Sequence, residues 1–207
     1  MVYCCSDSTV STVGSKSAEG KMSPRNMLTT TIGDELKIAT DFKAKVIGVS
    51  LKDRAAILPA GHAADGAYWI DYSTGTFISS TYYMKELPKW AVDYNKSIGK
   101  VTKDQICYTP LGNKITEEMA KAAVAGEQLG GDNVTDLLAV SFSCTDMIGH
   151  KYGTHSDKTR EIYVDLDKRL ADLFGYLDQN VGKDQYLVFL MADHGAANSI
   201  LLSREHG

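Results

Sequence analysis

No apolar run in the chain approaches the ~18 residues that a bilayer-spanning helix needs, so no membrane partner is expected. The opening stretch, MVYCCSDSTVSTVG, lacks the basic start and apolar centre of a secretion signal, which leaves a cytosolic protein or an internal or processed piece of a longer one. Positive charge is not in excess: 22 Lys and Arg stand against 26 Asp and Glu, for a net charge of −4. That balance argues against a general electrostatic grip on nucleic acid or anionic membrane, so phosphate chemistry here must rely on local cations or bound metal. Cysteine is scarce, with four residues and no CxxC spacing. Cys4 and Cys5 are neighbours, too constrained for an ordinary disulfide between them. All four read as mostly structural thiols, a bridge from Cys4 or Cys5 to Cys107 stays open, and the redox compartment is not fixed.

What is present suffices for one sizeable core: 207 residues, 43% apolar and 23% charged. Residues 1 to 22, rich in Ser, Thr and Gly, read as an irregular lead-in. Ser23-Pro24 predicts a helix cap and first helical position, with the helix running to about Thr40. KVIGVSL, residues 45 to 51, predicts a strand buried on both faces. Aromatic and β-branched runs on either side of Ser73-Thr74-Gly75 predict a β-hairpin, and LPKWAVDYNKSIG a short helix packed through Trp90 and Val92. Roughly 57 to 113 reads as an insertion or cap within a single domain covering 1 to 207.

Thr116 with Glu117 and Glu118 predicts the start of a further helix, ended by Gly130-Gly131. DLLAVSF, Asp136 to Phe142, predicts the next buried strand, followed by a loop from Ser143 to His155. Ser156 caps a long helix whose apolar stripe runs through Leu166, Leu170, Leu173, Phe174, Leu177 and Val181, leaving Lys168, Arg169 and Asp172 in water; Gly182 closes it. Gln185 to Met191 predicts another strand. A strand, helix, strand unit of this length implies parallel strands, so the fold class is α/β with a largely parallel sheet and helices on both faces.

Ligand sites of open α/β sheets lie beyond the carboxyl ends of the strands. Three such tips carry polar chemistry: Lys52 and Arg54, Asp146 and His150, and Asp193 and His194. Each pair has a duller explanation. Lys-x-Arg is commonly a solvated turn, a DxxxH spacing alone is weak, and only the acid–histidine pair directly after an apolar strand lacks an obvious packing purpose. His62, His155 and His206 gain no role from position. Taken together, the six residues are more specific: aspartate and neutral imidazole suit Zn²⁺, while Lys and Arg suit phosphoryl oxygens. Strands ~4.8 Å apart can serve metals ~3.5–4 Å apart.

MSPRNMLTTTIGDELK, KVIGVSLKDRAAILPAGHAADGAYW, STYYMKELPKWAVDYN, SFSCTDMIGHKYG and FLMADHGA follow one another as in the alkaline phosphatase superfamily, and the chain resembles the PafA-type bacterial branch, related to the nucleotide pyrophosphatase/phosphodiesterases. The resemblance implies a two-zinc phosphomonoesterase with a small phosphate ester as substrate. It implies that Asp146 and His150 bind one zinc, that Asp193 and His194 bind the other, and that Lys52 and Arg54 contact the phosphoryl group. It further implies a Thr or Ser nucleophile, a covalent phospho-enzyme and export to the periplasm. The nucleophile, a phosphate-binding Asn and an aspartate of the second zinc site are expected before this chain, and a last histidine of the first zinc site after it. The chain therefore reads as a central fragment with weak metal binding and little or no activity alone. Rival readings are a phosphodiesterase or mutase of the same superfamily, and a non-catalytic α/β domain binding metal or anions.

Overall fold

The computed structural model describes residues 3–197. Its centre is β2 (Val46–Ser50), five consecutive buried residues that pair in parallel with β3 (Gly66–Asp71) on one side and β5 (Leu137–Ser141) on the other. β3 turns back into antiparallel β4 (Thr76–Ser80), and β1 (Thr12–Val13) closes that side in the order β1-β4-β3-β2-β5. The segment 57–113 thus contributes its hairpin to the central sheet itself. β1 is too short to cover all of β4, so Asn95 completes the edge. Its Oδ1 accepts from the Phe77 N–H and its Nδ2 donates to the Phe77 carbonyl, both at 2.8 Å.

Side chains alternate across the sheet, and the two faces have different cores. Tyr68 and Ile70 of β3, with Ile47 and Val49 of β2, join Ile115, Met119 and Ala123 of α5 (Leu111–Glu127). Ala67 and Trp69 point the other way, to Ala56 and Ile57 of α2 (Asp53–Ala60). Helices therefore cover both faces, as the fold class requires. The hairpin is followed by α3 (Lys89–Ile98), where Trp90 packs edge-on to Tyr68 at 5.1 Å between ring centres, whereas Val92 stays exposed.

Several elements differ from what local sequence predicts. The helix expected from Pro24 is α1 (Ile32–Ala39), opened by a Thr31/Asp34 capping box. Ser23 is not its cap; it is buried and donates to Asp7 Oδ2 at 2.6 Å. A second capping box, Thr102 with Gln105, starts the unanticipated α4 (Lys103–Tyr108). α5 begins at Leu111, five residues before Thr116, so Glu117 lies inside the helix rather than in its first turn. It is buried and paired with Lys121 and with Arg169 Nη1, the latter at 3.4 Å. Arg169 belongs to α7 (Asp157–Leu177) and is thus a tie between helices, not a solvated residue. Ser156 caps α7 as expected, and Gly182 ends the π-helical turn Asp178–Gly182 that follows.

The strand expected over Gln185 to Met191 is absent from the sheet. Leu187, Val188, Phe189, Leu190 and Met191 are between 43% and 82% exposed, and among the described residues β5 pairs with β2 alone. Apolar, β-branched composition favours a strand only where a neighbour takes up its backbone groups, and no described strand lies beside this segment. No disulfide forms: all four cysteines are free, so the bridge to Cys107 is excluded.

Two buried carboxylates hold the lead-in: Asp7 braces it internally and Asp71 of β3 ties it to the sheet. Asp7 accepts from the Ser23 hydroxyl and from both the hydroxyl and the N–H of Thr9, which holds its pKa at about 2. Burial pulls the Asp71 carboxyl upward, but hydrogen bonds from Ser73 and Ser15 outweigh it and hold that pKa also at about 2. Both folded-state values lie below the ordinary 3.8. The stabilisation is therefore complete above about pH 4 and is lost as pH falls toward 2, at about 2 kcal/mol for each group. Melting temperature measured from pH 5 to pH 2 should fall steeply, and Asp7→Asn with Asp71→Asn should flatten that slope. An unchanged slope would count against these contacts.

Candidate active site

The tips of β2 and β5 are level, because the two strands pair in register from Val46 with Leu137 to Ser50 with Ser141. Hydroxyls pin them together: Ser50 Oγ lies 3.0 Å from the Ser141 carbonyl, to which it can donate, and 3.1 Å from Ser143 Oγ. The Lys52 N–H donates to Ser50 Oγ at 3.2 Å, and Lys52 is the extended residue that precedes α2. Beyond Ser143 the chain does not loop; it forms α6 (Cys144–Tyr152). The DxxxH spacing is therefore a helical i,i+4 pair, which puts both side chains on one face.

Asp146 is the centre of the arrangement. Lys52 Nζ meets its Oδ2 at 2.5 Å, and His150 Nε2 lies 3.1 Å from its Oδ1. His194 Nε2 reaches the same Oδ1 at 3.7 Å and the Asp193 carboxylate at 3.8 Å. Burial raises the Asp146 pKa, but the hydrogen bond and charge of Lys52, with the two imidazoles, bring it below the ordinary carboxylate value. The Gly195 carbonyl on His194 Nδ1, at 2.9 Å, and the neighbouring Asp193 push the His194 pKa upward.

Five of the six expected residues thus gather at one edge, although in a pattern different from two separate Asp/His pairs. Asp146 is shared by both histidines, while the Asp193 side chain is 92% exposed. The sixth, Arg54, turns to the lead-in, where its Nη1 donates to the Tyr3 hydroxyl at 3.3 Å. Tyr3 and the Ser50–Ser143 contact carried no motif; a residue 51 positions from Arg54 in an irregular stretch gives no spacing to read. A groove lined by Thr12, Gly14, Leu87 and Asn95 lies elsewhere and includes none of the six.

Carboxylate and imidazole are the donor types that Zn²⁺ takes, and around Asp146 they converge from two elements. The donor chemistry fits such an ion. Among the described residues, however, no group of three or more His, Cys, Asp or Glu side chains is arranged to hold a metal.

A cation, a carboxylate and two imidazoles meet at the carboxyl edge of an α/β sheet, the edge outside which ligands of open α/β sheets lie. The chain belongs to the type I phosphodiesterase / nucleotide pyrophosphatase family, whose sequence model matches residues 26–200. It is 43% identical to alkaline phosphatase PhoV of Synechococcus elongatus, with 95% of this chain and 44% of that protein covered. Identity to alkaline phosphatase PafA of Elizabethkingia meningoseptica is also 43%, over 99% of this chain and 47% of the relative. The crystal structure of wild-type PafA superposes with a TM-score of 0.95 and 44% identity, covering 99% of this chain and 49% of that one. The chain spans about half the length of the relatives it matches.

Proposed function

We propose that this chain carries the phosphate-binding and part of the metal-binding edge of a phosphomonoesterase acting on small phosphate esters. The observation that carries the reading is the convergence of Lys52, His150 and His194 on Asp146. In this reading Asp146 and His150 would hold one Zn²⁺, and Asp193 with His194 the other. When bound, the two ions supply Lewis-acid stabilisation of developing negative charge and a lowered water pKa.

The chain's own residues bind and orient. Lys52, fixed at the start of α2, presents a point charge next to Asp146. Arg54, two residues on, brings a planar donor fork of which one N–H is engaged by Tyr3. A monoester phosphoryl group has three non-bridging oxygens and up to two negative charges, so two cations match it better than they match a singly charged diester. The family's description favours a second reading, a phosphodiesterase, which needs less positive charge. The attacking Thr or Ser is assigned to none of these residues. No helix among the described residues is long and apolar enough to cross a membrane, and the kinship with alkaline phosphatases supports an exported protein.

With this partial ligand set, the 207-residue chain alone is expected to hydrolyse p-nitrophenyl phosphate at or near the uncatalysed rate, even with added Zn²⁺. The full-length gene product is expected to turn over under the same conditions. Robust turnover by the isolated chain, abolished by Asp193→Ala, would overturn the claim that the site needs further residues.

A further inference from the structure

We propose that Tyr3 is a positioning residue for Arg54, restricting its guanidinium at the start of α2, two residues from Lys52, before phosphate binds. The proposal rests on the phosphatase reading of Arg54. A tyrosine hydroxyl has one proton, and here it goes to Asp53 Oδ1 at 2.7 Å, a carboxylate that can only accept. The phenolic oxygen is thereby left as an acceptor, and Arg54 Nη1 donates to it at 3.3 Å. Asp53 and Arg54 are adjacent residues of the first turn of α2, so the aspartate orients the hydroxyl and the hydroxyl orients the arginine.

The anchor on the far side is itself fixed. The Tyr3 carbonyl accepts from the Ser6 N–H at 3.1 Å and from Asn26 Nδ2 at 3.4 Å, and Cys5 is fully buried against the α2 face of the sheet. Burial, more than any neighbour, pushes the Tyr3 hydroxyl up to about 12, so it stays protonated at neutral pH and keeps these roles. Arginine has five N–H donors, and a single contact to Tyr3 restricts the side chain while leaving the remaining donors for an anion. Restricting a long side chain before the ligand arrives reduces the ordering cost of binding.

The test compares wild type, Tyr3→Phe, Arg54→Ala and the double variant in the full-length gene product. Calorimetric binding of inorganic phosphate is measured alongside kcat and KM for p-nitrophenyl phosphate. Tyr3→Phe keeps the ring and removes only the hydroxyl. It is expected to weaken phosphate binding and raise KM by about 2- to 10-fold, the worth of one hydrogen bond, with kcat changed less. In the Arg54→Ala background the same change should have no effect. An equal penalty in both backgrounds, or none in wild type, would overturn the positioning role while leaving Arg54 as a phosphate ligand. If Arg54→Ala itself leaves phosphate binding and hydrolysis unchanged, the phosphatase role of Arg54 fails and the proposal fails with it.

Discussion

Asp146→Ala is expected to lower kcat/KM for a phosphate monoester by at least about 10²- to 10³-fold in the full-length gene product, the scale of losing a main electrostatic contact in an active site. Lys52, His150 and His194 each approach this one carboxylate, so its removal leaves Lys52 without its counter-charge and the two imidazoles without their shared oxygen. Asp146→Asn keeps the size and loses the charge, and should be nearly as damaging if charge is what matters. His150→Ala, which removes the other proposed ligand of the same Zn²⁺, should cost a comparable factor. Steady-state rates with p-nitrophenyl phosphate decide the matter, and an Asp146→Ala enzyme within a few-fold of wild type would remove Asp146 from the centre of the site.

Gly48→Ala should be among the most damaging small substitutions for the fold, at about 3 kcal/mol. A methyl group there would stand 2.0 Å from the Ala56 carbonyl oxygen and 3.1 Å from the Ala60 methyl. Both neighbours belong to α2, and the nearest atom is backbone, so relief requires the helix to move off the strand. Lys52 and Arg54 lie at the start of that helix, and phosphate binding should weaken together with stability. Gly149→Ala is the matched control. Gly149 lies inside α6 between Asp146 and His150, and a methyl there meets nothing within 4 Å. It should stabilise the protein by up to about 1 kcal/mol through helix propensity. Denaturant unfolding of both variants checks the pair; similar midpoints for the two would contradict this packing.

Sequence was most informative where burial was continuous. KVIGVSL is β2, buried throughout, and the turn at Ser73-Thr74-Gly75 joins β3 to β4; DLLAVSF is also a strand, β5, but it lies at the sheet edge with all five residues half-buried, not buried as expected. β2 announces itself because both faces of a central strand must be apolar. The α6 helix was obscured by Ser143, Thr145 and Gly149, which favour loops, although the i,i+4 spacing of Asp146 and His150 was already a helical signal. Gln185 to Met191 has the composition of a strand, but pairing depends on a neighbour that composition does not report. The chemistry-bearing residues were legible as types at strand tips. Their partnerships were not: that His194 shares Asp146 with His150, and that Arg54 turns to Tyr3, depends on side-chain directions fixed by tertiary packing.

We propose that Lys52 and Arg54 are the two cations that meet a doubly charged phosphoryl group. That proposal is tested most directly by the ratio of kcat/KM for p-nitrophenyl phosphate to that for bis-p-nitrophenyl phosphate, in the full-length wild type and in the Lys52→Ala/Arg54→Ala variant. The account predicts a strong monoester preference in wild type that collapses in the variant, mainly through loss of the monoester rate. A diester preference in wild type, or a ratio that the double substitution leaves unchanged, would contradict it.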